Sequence, residues 1–323
     1  MLNYNRFCGD IMVDKKQIES FYDYFDEVAD ILYHNYQKAY IEGMNEAFNF
    51  LLDAEFKDEY SNEDIEKIIV LKEKLEDTKF EREEVRKAVQ LGMLKGYKHS
   101  FSSNSLITPD TIGIFIGYIL KKLYKSKSIK NVLDPLVGSG NLVYTVLNHI
   151  EAEAKVFGVD NDITKCNLAR NLGDLMDYEN EIFYQETFTY MDKGFDLILT
   201  DMPISEKTPY FPYQVINHYI DAVNPGGFMI SIIENDFFEK KGNDIFKKEI
   251  DKKGSIFGLI KLSESLFKNN PKSILIIRKN SEDIKPSKDF LLVDLPSFNE
   301  LEDFNATINK IDTWFASRED DIV

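Results

Sequence analysis

Three short stretches carry residue types and spacings capable of chemistry. The first is Val132-Leu133-Asp134-Pro135-Leu136-Val137-Gly138-Ser139-Gly140-Asn141-Leu142. An apolar strand ends in an acid and runs into a glycine loop that opens a helix. Gly138 and Gly140 allow a tight turn and a close approach of backbone to a ligand, and a helix start offers free N–H groups. The spacing is not that of a dinucleotide fingerprint, because no third glycine follows Gly140, and no Gly-Lys-Ser/Thr is present for nucleoside triphosphates. The second stretch, Lys155 to Val159, ends at Asp160, followed by Asn161. An acid there can accept hydrogen bonds from ribose hydroxyls, or else Asp160 or Asp162 caps the helix that follows. The third, Phe195 to Thr200, delivers Asp201-Met202-Pro203-Ile204 at its end, with Pro203 stiffening the loop.

The elements that must position these residues follow from periodicity. Strands are expected at Val132-Leu133, Lys155–Val159, Glu181–Tyr184, Phe195–Thr200, Gly227–Ile233, Ile256–Lys261, Ser273–Arg278 and Phe290–Val293, with helical stretches between them and a final helix through Trp314. That alternation predicts an α/β fold with a doubly wound, mostly parallel sheet. In such folds ligands sit outside the C-terminal strand ends, where all three motifs converge. Residues 1–100 read as helices. Phe21, Phe25, Val28, Leu32 and Tyr36 form one apolar stripe, widened by Tyr22, Ala29, Tyr33 and Tyr40. Ser61 with Asp64 has the form of an N-cap, and the dense charge from Glu55 to Lys87 reads as a solvated helix surface. A Ser/Asn-rich linker at His99–Leu106 separates this all-helical N-terminal domain (1–100) from the second domain (101–323). Thr108-Pro109 is expected to start the next helix, Thr as its cap.

Taken in this order, the motifs resemble a class I S-adenosylmethionine-dependent methyltransferase of the DNA N6-adenine methylase branch. The likeness is to the modification subunit of type I restriction systems and its standalone bacterial relatives, and it extends from about Thr108 to Arg278. It implies S-adenosylmethionine as cofactor. Its contacts would fall at Thr108 and Pro109, across Asp134, Pro135, Gly138, Ser139, Gly140 and Asn141, at Asp160 and Asn161, and at Glu186 or Thr187. It implies catalysis at Asp201, Pro203 and Ile204. There the family has Asn or Asp, then two prolines and an aromatic, so Met202 replaces the first proline and Ile204 the residue that stacks on an extruded base. Base–aromatic stacking is worth roughly 1–3 kcal/mol, and Tyr210, Phe211 and Tyr213 in the following loop are candidates to replace it or, equally, to cover core.

Composition constrains the partner. The formal charge is −17, of which residues 1–100 carry −8 and the remainder −9. A grip on a polyanion usually needs a positive surface, so DNA is a possible but disfavoured partner. The one basic run, Lys121, Lys122, Lys125, Lys127 and Lys130, reads more readily as a solvated helix end than as a surface for phosphates. About 45 residues follow Arg278, too few for a separate target-reading domain. The helical N-terminus is then a candidate surface for a protein partner or a second copy. No apolar run reaches the ~20 residues of a membrane span. Met1–Lys16 lacks the pattern of a signal peptide. Two cysteines, Cys8 and Cys166, and four scattered histidines indicate neither a disulfide framework nor a metal, so the cytoplasm is the expected location. Two alternatives to DNA methylation stay open. One is methylation of RNA, protein or a small molecule; the other is a non-catalytic cofactor-binding regulator.

Overall fold

The computed structural model describes residues 13–99, 107–125, 127–267, 270–283 and 289–318. Cys8 and most of the Ser/Asn linker lie outside them. Among the described residues four helices come first: α1 (Lys15–Tyr36), α2 (Tyr40–Leu51), α3 (Asn62–Glu73) and α4 (Arg82–His99). Then follow α5 (Asp110–Leu123), β1 (Asn131–Asp134), α6 (Asn141–Ile150), β2 (Lys155–Asp160), α7 (Ile163–Leu175), β3 (Asn180–Tyr184) and β4 (Phe195–Asp201). The chain continues through α8 (Phe211–Tyr219), β5 (Val223–Glu234), α9 (Asn243–Lys253), β6 (Gly254–Lys261), β7 (Lys272–Lys279), β8 (Leu291–Asp294) and α10 (Leu301–Ala316). The eight strands form one sheet in the order β3-β2-β1-β4-β5-β7-β6-β8. Only β7 runs antiparallel to its neighbours, so the sheet is doubly wound and mostly parallel, with an all-helical region before it.

Alternation along the strands divides the interior. Val132, Val156, Leu197 and Leu199 face one core; Leu133, Val159, Ile198 and Met229 face the other. The first core is continuous from Phe25, Leu32 and Phe48 of the N-terminal helices to Phe304 and Phe315 of α10. Phe21, Phe25, Val28, Ala29 and Leu32 of the stripe are buried on α1, Tyr22 and Tyr36 are half-buried, Tyr33 is exposed, and Tyr40 is buried at the start of α2. The Ser61 cap forms, its Oγ accepting from the Asp64 N–H at 3.1 Å.

Two expectations fail. Thr108 does not cap α5: Pro109 holds the cap position with no side-chain bond, because the Thr108 hydroxyl is donated to Asp201 instead. And the charge run from Glu55 to Lys87 is not uniformly solvated. Asp64, Glu83, Glu84 and Arg86 are buried within it. Burial of Arg86 is sustained because its five N–H donors meet five acceptors. Nε and Nη2 donate to Glu83 (2.8 and 2.6 Å), Nη1 and Nη2 to Asp110 (3.1 and 2.8 Å), and Nη1 to Asn141 Oδ1 (2.8 Å). Burial opposes the ionisation of Asp110, but Arg86 outweighs it and holds that carboxyl below its ordinary range.

A second buried charge closes β1. Asp134 is 2% exposed and accepts the Leu136 N–H at 3.0 Å. Burial pushes its carboxyl up from 3.8 to about 7.

Both buried groups predict stability effects. Arg86→Met removes the buried cation between Glu83 and Asp110, leaving only Lys87 at 3.9 Å from Glu83, and should lower unfolding stability by about 3–5 kcal/mol, read from the urea midpoint. For Asp134 the folded chain binds a proton that the unfolded chain has released between pH 3.8 and about 7. Its contribution therefore falls as pH rises through that window. Asp134→Asn should gain on the wild type from pH 4 to 7, by an amount on the order of 4 kcal/mol when complete, and hold that gain above pH 7. Urea unfolding at pH 5 and pH 8 checks this; an equal difference at both would refute it.

Candidate functional site

The C-terminal ends of β1, β2 and β4 open into a cavity of about 500 Å³. Among the expected residues, Thr108, Asp134, Pro135, Gly138, Ser139, Asn141, Asp160, Asn161, Glu186, Thr187, Asp201, Pro203 and Ile204 all line it. Pro109 and Gly140 do not. Pro109 begins α5. Gly140 supports the loop from behind: with φ +79°, it approaches Tyr144 so closely that a Cβ would sit 2.6 Å from the ring.

The glycine loop is held by its backbone. Val137 N–H donates to Val159 O and Gly140 N–H to Val137 O, each at 2.9 Å. Gly138 has φ +52°, and no atom lies within 4 Å of where its Cβ would be. That open face leaves room for a ligand against the main chain. Asp160 is not the cap of α7; Asp162 is, accepting from Thr164 and Lys165 N–H. Asp160 instead accepts the Gly138 N–H at 3.0 Å and the Asp162 N–H at 2.9 Å. Burial raises its carboxyl above the ordinary value. On the rim beside it, Asn161 donates to Glu186 at 3.1 Å. Thr187 is turned inward: its hydroxyl lies 2.9 Å from Pro135 O and 3.0 Å from the Tyr219 hydroxyl.

At the other end, Asp201 terminates β4. The Thr108 hydroxyl donates to its Oδ2 at 2.8 Å, and Lys272 Nζ lies 2.5 Å from its Oδ1. The loop after it is tied to β5 by Met202 N–H to Ile232 O at 2.9 Å. Met202 is buried, while Ile204 is 50% exposed at the mouth. Of the three aromatics that could replace a stacking residue, Tyr210 and Tyr213 belong to the core. Tyr210 donates to Glu234 at 2.7 Å, and Tyr213 stacks on Phe246. Phe211 alone of the three lines the cavity, its ring edge-on to Phe188 at 5.6 Å.

Five lining residues escape a reading of the motifs: Tyr97, Lys165, Ser205, Lys207 and Lys272. Tyr97 comes from the end of α4 and hydrogen-bonds Ser139; burial raises its phenol above the ordinary value. The helical region thus contributes a wall of the cavity. Lys272 left a trace, as a cation heading the apolar run Ile274–Ile277, but it reads most simply as the strand's boundary. Among the described residues, no group of three or more His, Cys, Asp or Glu could hold a metal, and no helix is long and apolar enough to cross a membrane.

Comparison with known proteins agrees with this geometry. The YtxK N-terminal helical domain matches residues 19–97, and the N-6 DNA methylase family matches residues 93–321. YtxK of Bacillus subtilis strain 168 is 30% identical over 326 residues, covering 94% of this chain and 99% of that one. The crystal structure of a candidate class I S-adenosylmethionine-dependent methyltransferase from Listeria monocytogenes aligns with a TM-score of 0.84 at 28% identity. That match covers 94% of this chain and 100% of the other. The type IIG restriction endonuclease BpuSI shares the fold alone, with a TM-score of 0.55 at 14% identity over 90% of this chain and 39% of its own. The chain belongs to the N-6 DNA methylase family, whose members are methyltransferases that use S-adenosylmethionine.

Proposed function

We propose that the chain methylates an exocyclic amine, with adenine N6 in a nucleic acid as the acceptor class. The observation that carries this reading is that Asp201 shares one cavity with Gly138 and Asp160. The cavity residues fit the cofactor: the open face of Gly138 leaves a cradle for it, and Asp160 has both oxygens aligned by backbone N–H groups. On this reading Asp160 receives the ribose hydroxyls. Asp134, Pro135, Ser139 and Asn141 shape the loop around the rest, and Glu186 with Asn161 closes the adenine side. When bound, S-adenosylmethionine supplies an electrophilic methyl group.

The chain's own part is to make a poor nucleophile attack. The lone pair of an exocyclic amine is delocalised into its ring. Asp201 and a backbone carbonyl of the Met202-Pro203 turn would accept its two N–H bonds, favouring a pyramidal nitrogen whose lone pair points outward. Pro203 fixes the turn. Phe211 would stack on the base in place of Ile204. Residues 1–100 act here as a fixed wall of the catalytic domain at 101–323, through Tyr97 and Arg86.

Calorimetry with S-adenosylmethionine and transfer of a labelled methyl group to single-stranded DNA test this. Asp201→Ala should reduce transfer by about 100-fold or more and leave cofactor affinity within about twofold. Phe211→Ala should raise the KM for the oligonucleotide by about tenfold, the low end of the value of one stacked base. Undiminished transfer by Asp201→Ala would remove Asp201 from the mechanism.

A further inference from the structure

Lys272 begins β7 directly opposite Glu234 of β5. A cross-strand ion pair between them is the expected arrangement, and it is not formed. Glu234 instead takes the Tyr210 hydroxyl at 2.7 Å and Lys240 at 3.6 Å. Alternation along β7 puts Lys272, Ile274 and Ile276 on the sheet face shared with Leu197 and Leu199 of β4, and so with Asp201. The side chain of Lys272 crosses over β5 and places Nζ 2.5 Å from Asp201 Oδ1. The residue is 9% exposed, with the ring of Phe267 at 5.5 Å from Nζ. The second carboxylate oxygen already receives Thr108, whose carbonyl is in turn fixed by Asn141 at 3.1 Å. Both oxygens of Asp201 are therefore engaged from within the chain.

We propose that Lys272 is a positioning residue that occupies the place of the acceptor amine and sets which acceptors can enter. The inference rests on the assignment of Asp201 proposed above. An ammonium donates N–H bonds to Asp201 as an acceptor amine would, but its nitrogen has no free lone pair and cannot take a methyl group. It is an unreactive stand-in. An adenine must displace it before Asp201 can receive the N6 amine, so the lysine competes with the acceptor for one carboxylate. Its effect belongs in the KM for the acceptor, not in the methyl-transfer step or in cofactor affinity.

The test uses the full chain, S-adenosylmethionine and a fluorescein-labelled single-stranded oligonucleotide containing adenine. Lys272→Met keeps the length and removes the charge; Lys272→Arg keeps the charge. Asp201→Asn keeps an acceptor oxygen and loses the charge that holds the lysine. Lys272→Met and Asp201→Asn should each lower the oligonucleotide KM, and its Kd by fluorescence anisotropy, by about tenfold, the equivalent of ~1.4 kcal/mol. Lys272→Arg should stay within about twofold of wild type. Unchanged or weaker oligonucleotide binding in both charge-removing variants overturns the proposal, and so does an equal gain in Lys272→Arg. Should Lys272→Met fail to fold by circular dichroism, Asp201→Asn decides alone. Calorimetry separates the two readings. Wild type that binds no cofactor defeats the site assignment itself, whereas normal cofactor binding with no gain defeats only the role of Lys272.

Discussion

The buried guanidinium of Arg86 is the constraint on which the rest of the molecule hangs. A cation without solvent is tolerable only when every donor is met, and an unpaired one would cost several kcal/mol. Its five partners come from three places in the chain: Glu83 on its own helix, Asp110 at the start of α5, and Asn141 at the start of α6. Satisfying one side chain therefore fixes the helical region, the helix that follows Thr108 and the helix that follows the glycine loop in a single arrangement. Asn141 passes the constraint on, donating to Thr108 O at 3.1 Å, and Thr108 holds Asp201. A residue 115 positions before Asp201 in the sequence is thus three hydrogen bonds from it.

The same economy organises the acids at the strand ends. Asp134, Asp160 and Asp201 converge on one cavity and would repel one another if left to themselves. Each is handled differently. Asp134 is buried and raised to about 7, so near neutrality it is partly uncharged. Asp160 is compensated by backbone N–H groups of the glycine loop and of the turn after β2. Asp201 is compensated by side chains from outside both motifs, Thr108 and Lys272. Backbone donors cannot move away when a ligand arrives, whereas a lysine side chain can. On the proposed reading, that difference separates a cofactor end held by backbone donors from an acceptor end held by a movable side chain.

These distinctions explain how much a linear reading could recover. The strands were legible because buried parallel strands are short apolar runs bounded by turn residues. The observed β1 to β8 each overlap the expected segment, and the motif acids sit at strand ends where the alternation put them. The Ser61–Asp64 cap was legible because it is local. Arg86 was not, because on a helix dense with charge nothing local distinguishes a buried arginine from a solvated one; the acceptors at Asp110 and Asn141 are supplied by tertiary structure. Thr108 before a proline has the local chemistry of a cap, and a distant carboxylate outcompeted the helix for its hydroxyl. Lys272 sits where a polar residue normally marks a strand's edge, and only the position of β7 beside β5 brings it within reach of Asp201.

The net charge of −17 weighs less against an anionic acceptor than its size suggests. Between exposed charges, screening is substantial beyond about 8 Å at physiological ionic strength, so the groups at the cavity mouth matter more than the sum over the chain. The basic run before β1 cannot serve there. It lies before the N-terminal end of β1, whereas the cavity lies at that strand's C-terminal end, Lys122 is paired with Asp312, and Lys121 and Lys127 border Glu151 and Glu153. The mouth has its own cations in Lys165, Lys207 and Lys272 beside Asp134, Asp160, Glu186 and Asp201. With Asp134 partly protonated, that set is close to balanced. Ionic steering of a polyanion from a distance is therefore weak, and association would be slow and little affected by salt compared with a basic methylase. On the proposed reading, recognition comes from contact at the cavity itself, where Phe211 would offer stacking and the Asp201 loop hydrogen bonds that act only once the acceptor has arrived.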